Sequence, residues 1–155
     1  MAEGPDTHCG SETFRRIIAM NVAEARTLLT EFHEARKKND PDTLRPFFAE
    51  GATFSVAGQL RENSIAMEVI DKAGFEHALH EILRDWRWID VDFKTVMADG
   101  DLVVVRYLLT VEHVPSQQSF TTDIVDFVTV RDGKITDMRQ FVDTAHLGAV
   151  AGWNR

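Results

Sequence analysis

One carboxyl group in this chain is set by its sequence context where water is scarce. The run TTDIVDFVTV, residues 121–130, alternates with period two, so Thr122, Ile124, Asp126, Val128 and Val130 share one face of a strand. With Ile124, Val128, Leu109 and Met138 around it, the carboxylate form of Asp126 loses solvation, and a raised pKa is expected. A carboxyl that keeps its proton near neutral pH can donate a hydrogen bond to a carbonyl or relay a proton. It can equally be a structural group satisfied by Tyr107 and Gln140, because buried polar groups find partners whether or not they react.

The side chains able to work with Asp126 lie on the preceding strand. Val105, Tyr107, Leu109, Val111 and His113 share one face, and the turn that follows decides which of them meets the acid. A tight turn at Ser116-Gln117 sets Tyr107 opposite Asp126 and His113 opposite Phe120. A wider turn centred near Ser119-Phe120 sets His113 opposite Asp126. The turn-forming residues at 115–118 favour the first register. Tyr107 is then either an aromatic wall or a hydrogen-bond donor.

Other polar side chains read more plainly. His33 and Arg36 are expected on a solvated helix face. His77 and His80, three apart on a helix, lack a third ligand at motif spacing, so no metal site is expected. Trp86 and Trp88 read as packing or pocket wall, and Arg106 and Arg139 point away from the interior by parity. Cys9, a lone cysteine in a polar N-terminal stretch, is expected to be neither disulfide-bonded nor catalytic.

These groups require a scaffold, and its elements follow in order. Residues 11–20 form an expected short helix within an N-terminal extension, 1–21. Asn21 and Glu24 make a capping box for a helix from Val22 to about Lys38, with Val22, Ala25, Leu28, Leu29, Phe32 and Ala35 as its apolar stripe. Asp40-Pro41 starts a short helix that bends at Pro46 and stops at Gly51. A strand at 52–56 puts Phe54 and Val56 on one side, and 57–70 is a loop with some strand character over an opening. Asp71 caps a third helix whose Phe75, Ala78, Leu79 and Ile82 face inward. Strands at 88–97 and 102–113 flank a turn at Asp99-Gly100. The last hairpin turns at Arg131-Asp132-Gly133, read as a three-residue loop that pairs Asp126 with Met138 and Ile124 with Gln140. Residues 144–150 add a closing helical turn, and 151–155 a tail. This order is α+β, with helices packed on one face of a strongly curved, mainly antiparallel sheet.

Composition bounds what such a domain does. The 155 residues suit one core, and 44% hydrophobic with 27% charged residues describes an ordinary globular chain. A net charge of -8, spread along the chain, argues against nucleic acid or an anionic membrane as partner. No apolar run approaches the ~18 residues of a membrane span, and the first ten residues lack signal-peptide character. The expectation is a soluble, cytoplasmic protein.

Three stretches, NDPDTLRPFFAEGATF, ADGDLVVVRY and VRDGKITDMRQFVDTAHL, resemble the nuclear transport factor 2-like superfamily, which includes ketosteroid isomerases, limonene epoxide hydrolases and SnoaL-like cyclases. The resemblance covers residues 22–150. It implies a cone-shaped α+β barrel, a small apolar ligand in the cone and a homodimer. The ketosteroid isomerase base and oxyanion tyrosine fall at Val56 and Phe32, which cannot do that chemistry, whereas the second oxyanion donor matches Asp126. The epoxide hydrolase arginine and aspartates fall at Tyr107, Leu109 and Gln140, so epoxide hydrolysis by that route is not expected. SnoaL-like cyclases match at His113 and Asp126. The resemblance therefore implies a cofactor-independent acid/base enzyme, with Asp126, His113 and Tyr107 as catalytic residues. Gln140, Phe54, Val56, Phe32, Leu109, Ile124, Met138 and Val142 form its ligand site. A non-catalytic binding module with the same pocket is the alternative.

Overall fold

The computed structural model describes residues 20–60, 62, 64–69 and 71–153. The helix expected at 11–20 and Cys9 lie outside them, Met20 apart. The first helix, α1 (Val22–Lys37), begins at a complete capping box in which Asn21 Oδ1 accepts from Glu24 N–H and Glu24 accepts from Asn21 N–H, each at 2.9 Å. Asp40 caps α2 (Pro41–Leu44), with Pro41 in its first turn. The chain then departs from expectation. Pro46 sits in a 3-10 turn, Arg45–Phe47, and β1 (Phe48–Val56) starts before Gly51. Gly51, at φ +74°, lies inside β1, where the strand uses five residues against two of its neighbour. It bends a strand and does not stop a helix.

After β2 (Met67–Val69), Asp71 caps α3 (Lys72–Asp85) by accepting from Gly74 N–H at 2.7 Å. The strands β3 (Trp86–Asp99), β4 (Leu102–His113), β5 (Gln118–Arg131) and β6 (Lys134–Phe141) follow as a meander, and α4 (Thr144–Val150) closes the chain. The six-stranded sheet runs in the order β2-β1-β6-β5-β4-β3, with β1 parallel to β6 and all other pairs antiparallel. It curls without closing.

The curl comes from bulges. In β3 an extra residue enters at Ile89 and another at Lys94, and each flips which parity faces inward. Trp86 and Trp88, then Val91 and Phe93, then Val96 and Ala98 therefore all pack toward the core. The β5-β6 hairpin also differs from expectation. Its loop is the two residues Asp132-Gly133, at φ +50° and +71°, with Arg131 paired to Lys134. A bulge near Thr136 then sets Val128 opposite Met138 and Asp126 opposite Gln140. Asp126 thus gains an amide as its direct neighbour, where a thioether was expected.

The β4-β5 pairing follows neither expected register. His113 pairs with Gln118, Tyr107 with Ile124 and Val105 with Asp126. Four residues, 114–117, suffice for the turn, with Gln117 at φ +56°. The core lies in the concavity, where Ala25, Leu29, Phe32 and Ala35 of α1 meet Val103, Val105, Tyr107 and Leu109 of β4. Val22, counted in the apolar stripe from the sequence, is exposed. His33 and Arg36, expected to be solvated, are 2% and 4% exposed.

Candidate functional site

Asp126 sits at the centre of β5, between Val105 on β4 and Gln140 on β6, and is 1% exposed. Tyr107 is one inward-facing position beyond Val105, so its ring crosses diagonally and its hydroxyl donates to Asp126 Oδ2 at 2.8 Å. Gln140 Nε2 donates to the same hydroxyl at 3.3 Å. Asp126 Oδ1 has no hydrogen-bond partner among the described residues. Burial drives the Asp126 pKa up from 3.8 to about 7, against the lowering effect of the Tyr107 hydrogen bond and of the neighbouring Gln140 amide, whose own bond goes to the Tyr107 hydroxyl. Burial, together with the nearby Asp126 charge, likewise pushes the Tyr107 hydroxyl well above its ordinary value. The carboxyl is therefore poised to hold or release a proton near neutral pH.

His33 completes the cluster from the helix side. Its Nδ1–H donates to the Leu29 carbonyl at 2.6 Å, while Nε2 is buried without a partner among the described residues. Its ring stacks on Trp88 at 5.2 Å and meets Tyr107 edge-on at 4.9 Å. Burial, the largest cause, lowers its pKa from 6.5 to about 4, so the imidazole is neutral at pH 7.

Beside this cluster opens a cavity of about 230 Å³. Phe32, Phe54, Val56, Leu109, Ile124, Met138, Gln140 and Val142, the ligand-site residues named from sequence, all form its wall. Further wall comes from Phe75, Ala78, Leu79 and Ile82 of α3, Ile65 and Met67 before and in β2, and Leu147 and Trp153 near the C-terminus. Asp126 and Tyr107 are not in the wall. They occupy the next inward-facing positions after Ile124 and Leu109, and Gln140, which contacts both, is the polar side chain of the group that reaches the wall. Asp126 therefore does not itself touch the open space, while Gln140, its cross-strand partner, does.

His113 is elsewhere. It lies eight residues along β4 from the Val105 that opposes Asp126, about 26 Å of extended strand. Its Nδ1 is 2.8 Å from Ser116 Oγ and its ring packs on Trp86 at 4.6 Å. No His-Asp dyad forms. His77 and His80 stay on the outer side of α3, with His77 3.5 Å from Glu81.

The wall residue that sequence reasoning placed wrongly is Arg36. It lines the cavity, and the signal was its spacing: positions 25, 29, 32 and 36 continue one buried stripe of α1. A cation in that register looks solvated until the end of α3 is known to cover it.

The fold and this site together define the class. Residues 29–138 match the SnoaL-like domain, most of the chain's length, and the protein belongs to that family. Its fold is similar to that of a candidate isomerase from Bacillus subtilis, with a TM-score of 0.74 and 17% identity, covering 87% of this chain and 98% of that one. It is also similar to an LEH-like epoxide hydrolase from M. tuberculosis, at 0.63 and 18%, covering 84% and 92%. An NTF2-like protein from Burkholderia xenovorans LB400 aligns at 0.61 and 21%, covering 84% and 98%. None of the curated proteins matches the sequence.

Proposed function

We propose that the cone takes up a small, largely apolar, carbonyl-bearing molecule and that Asp126 works on it as an acid/base group, in the manner of a SnoaL-like cyclase or ketosteroid isomerase. The observation that carries this reading is the buried, unpartnered Oδ1 of Asp126, one position behind an apolar cavity, on a carboxyl whose pKa is about 7. An unsatisfied buried oxygen is costly and is retained at sites that use it.

In this chemistry the carboxylate takes a proton from the carbon beside the carbonyl. The electron pair moves onto the carbonyl oxygen as an enolate, held by the Gln140 N–H, and the proton on Asp126 returns to the same molecule at another atom. The reaction is redox-neutral. For Asp126 to reach the carbon, Gln140 must turn away from Tyr107. The test is proton-deuterium exchange at the α-carbon of cyclic ketones in D2O, followed by NMR. Exchange is expected with the wild type and lost in Asp126→Asn. Equal exchange in both proteins sinks the acid/base role.

A second reading follows from the position of Asp126 outside the wall. The same cone then binds its ligand without turnover, and Gln140 anchors the one polar end. Undiminished ligand affinity in Asp126→Asn, with no exchange in either protein, supports this binding module.

A further inference from the structure

Among the described residues Arg36 has no carboxylate as counter-charge. The residue is 4% exposed and lines the cavity, and its guanidinium lies over the Trp88 ring at 5.0 Å from Cζ to the ring centroid. Its hydrogen bonds all go to neutral acceptors: the Trp86 carbonyl at 2.6 Å, the Ile82 carbonyl at 3.4 Å and Asn39 Oδ1 at 3.1 Å. The other arginine of the wall is different, for Arg84 is held by Asp85 at 2.6 Å and lies 3.6 Å from Glu81.

A charge taken out of water is strongly disfavoured unless an opposite charge faces it. The carbonyls at the C-terminal end of α3 orient this guanidinium, and the partial negative charge of that helix end offsets its charge only in part. Burial lowers its pKa to about 9, which still leaves it protonated at neutral pH. Three hydrogen bonds also leave donors of the guanidinium fork unused.

We propose that Arg36 seats the anionic end of the cavity's ligand, and that this ligand is a small apolar carboxylic acid bound as its carboxylate. The inference rests on the reading of the cone as a small-molecule site and narrows the class of molecule it takes. One carboxylate matches one unneutralised guanidinium in charge, and its oxygens accept from the donors that these three bonds leave, Nε–H and one Nη1–H. A phosphate dianion calls for a second free cation, and Arg84 is already shared between Asp85 and Glu81. Wall residues such as Phe48, Phe75, Ile82 and Trp86 cover the apolar body.

The experiment is displacement of a neutral fluorescent probe, N-phenyl-1-naphthylamine, by decanoate and by decan-1-ol at pH 7.5. Decanoate is expected to bind roughly tenfold or more tightly than the alcohol, the scale of a charge-assisted hydrogen bond. In Arg36→Gln the two ligands should fall within about threefold of each other, each referred to that variant's own probe affinity. Equal affinities in the wild type, or a preference that survives in Arg36→Gln, overturn the proposal. Should that variant not fold, carboxyl-13C decanoate titrated on the wild type decides the matter. Its midpoint must fall below that of the free acid, and a midpoint at or above it refutes the ion pair. If the probe and the alcohol bind but the acid has no advantage, only the anionic seat is lost. If nothing binds, the small-molecule reading of the cone fails with it.

Discussion

Two buried titratable groups give this protein opposing responses to pH. An unfolded chain ionises Asp126 above about pH 4, whereas the folded protein holds that proton to about pH 7. Between those values the folded state binds the extra proton, so this contribution to stability is full below pH 3.8 and is lost as pH rises through 7. His33 behaves in reverse. Its folded pKa of about 4 lies below the unfolded 6.5, so its contribution is present above pH 6.5 and is lost as pH falls through 4. The two slopes offset each other between pH 4 and 6.5, and only that of Asp126 continues above. Asp126→Asn should therefore gain on the wild type as pH is raised from 4 to 8, by on the order of 4 kcal/mol. Urea denaturation of both proteins across that range measures it, and a constant difference would contradict the raised pKa. Tyr107→Phe removes the donor to Oδ2 and leaves that oxygen buried without a partner, with an expected loss of about 2 kcal/mol in the same assay. Its loss should also raise the Asp126 midpoint further.

At the scale of elements, caps and turns were the readable features because they depend on neighbours in the chain. The capping box at Asn21 and the Asp71 cap are local hydrogen bonds between residues three apart. Asn21→Ala should lower stability by about 1 kcal/mol, measured by thermal or urea unfolding. β4 was read with its observed ends, since an unbroken Val-Leu run bounded by turn residues admits few alternatives. The pairings between strands were not readable. The loop at Asp132-Gly133 is one residue shorter than expected, and the bulge near Thr136 restores the parity of Met138 and Gln140, so the alternation is the same in both schemes. Gly133, at φ +71° with open space around its Cβ position, is needed for its backbone alone. Gly133→Ala should cost about 1 kcal/mol without disturbing packing. Position 36 was hidden for a different reason. Arg36 reaches the Trp86 carbonyl, fifty residues away, and no helical periodicity reports that contact.

For the whole molecule, the decisive feature is a concave sheet that has an inside and an outside. Inside, Leu109→Trp should fill the cavity and abolish binding of the neutral probe while the protein stays folded, as judged by circular dichroism. Outside, Phe127 and Phe141 are 39% and 42% exposed, with their rings in edge contact at 5.6 Å, next to the Arg106-Asp123 pair. A homodimer formed through this face would become a monomer on Phe127→Asp, and light scattering reads that outcome directly. The sequence by itself determined the order of the elements apart from β2, the caps, the inward parity of β4 and β5 and the burial of Asp126, because all of these follow from local periodicity and hydrogen bonding. Only the tertiary structure decided that Gln140 pairs with Asp126 and reaches the cavity wall, that His113 lies far along the strand, and that Arg36 faces inward. Those outcomes depend on loop length, bulges and the docking of α3 on α1, where a shift of one or two residues changes which side chains meet.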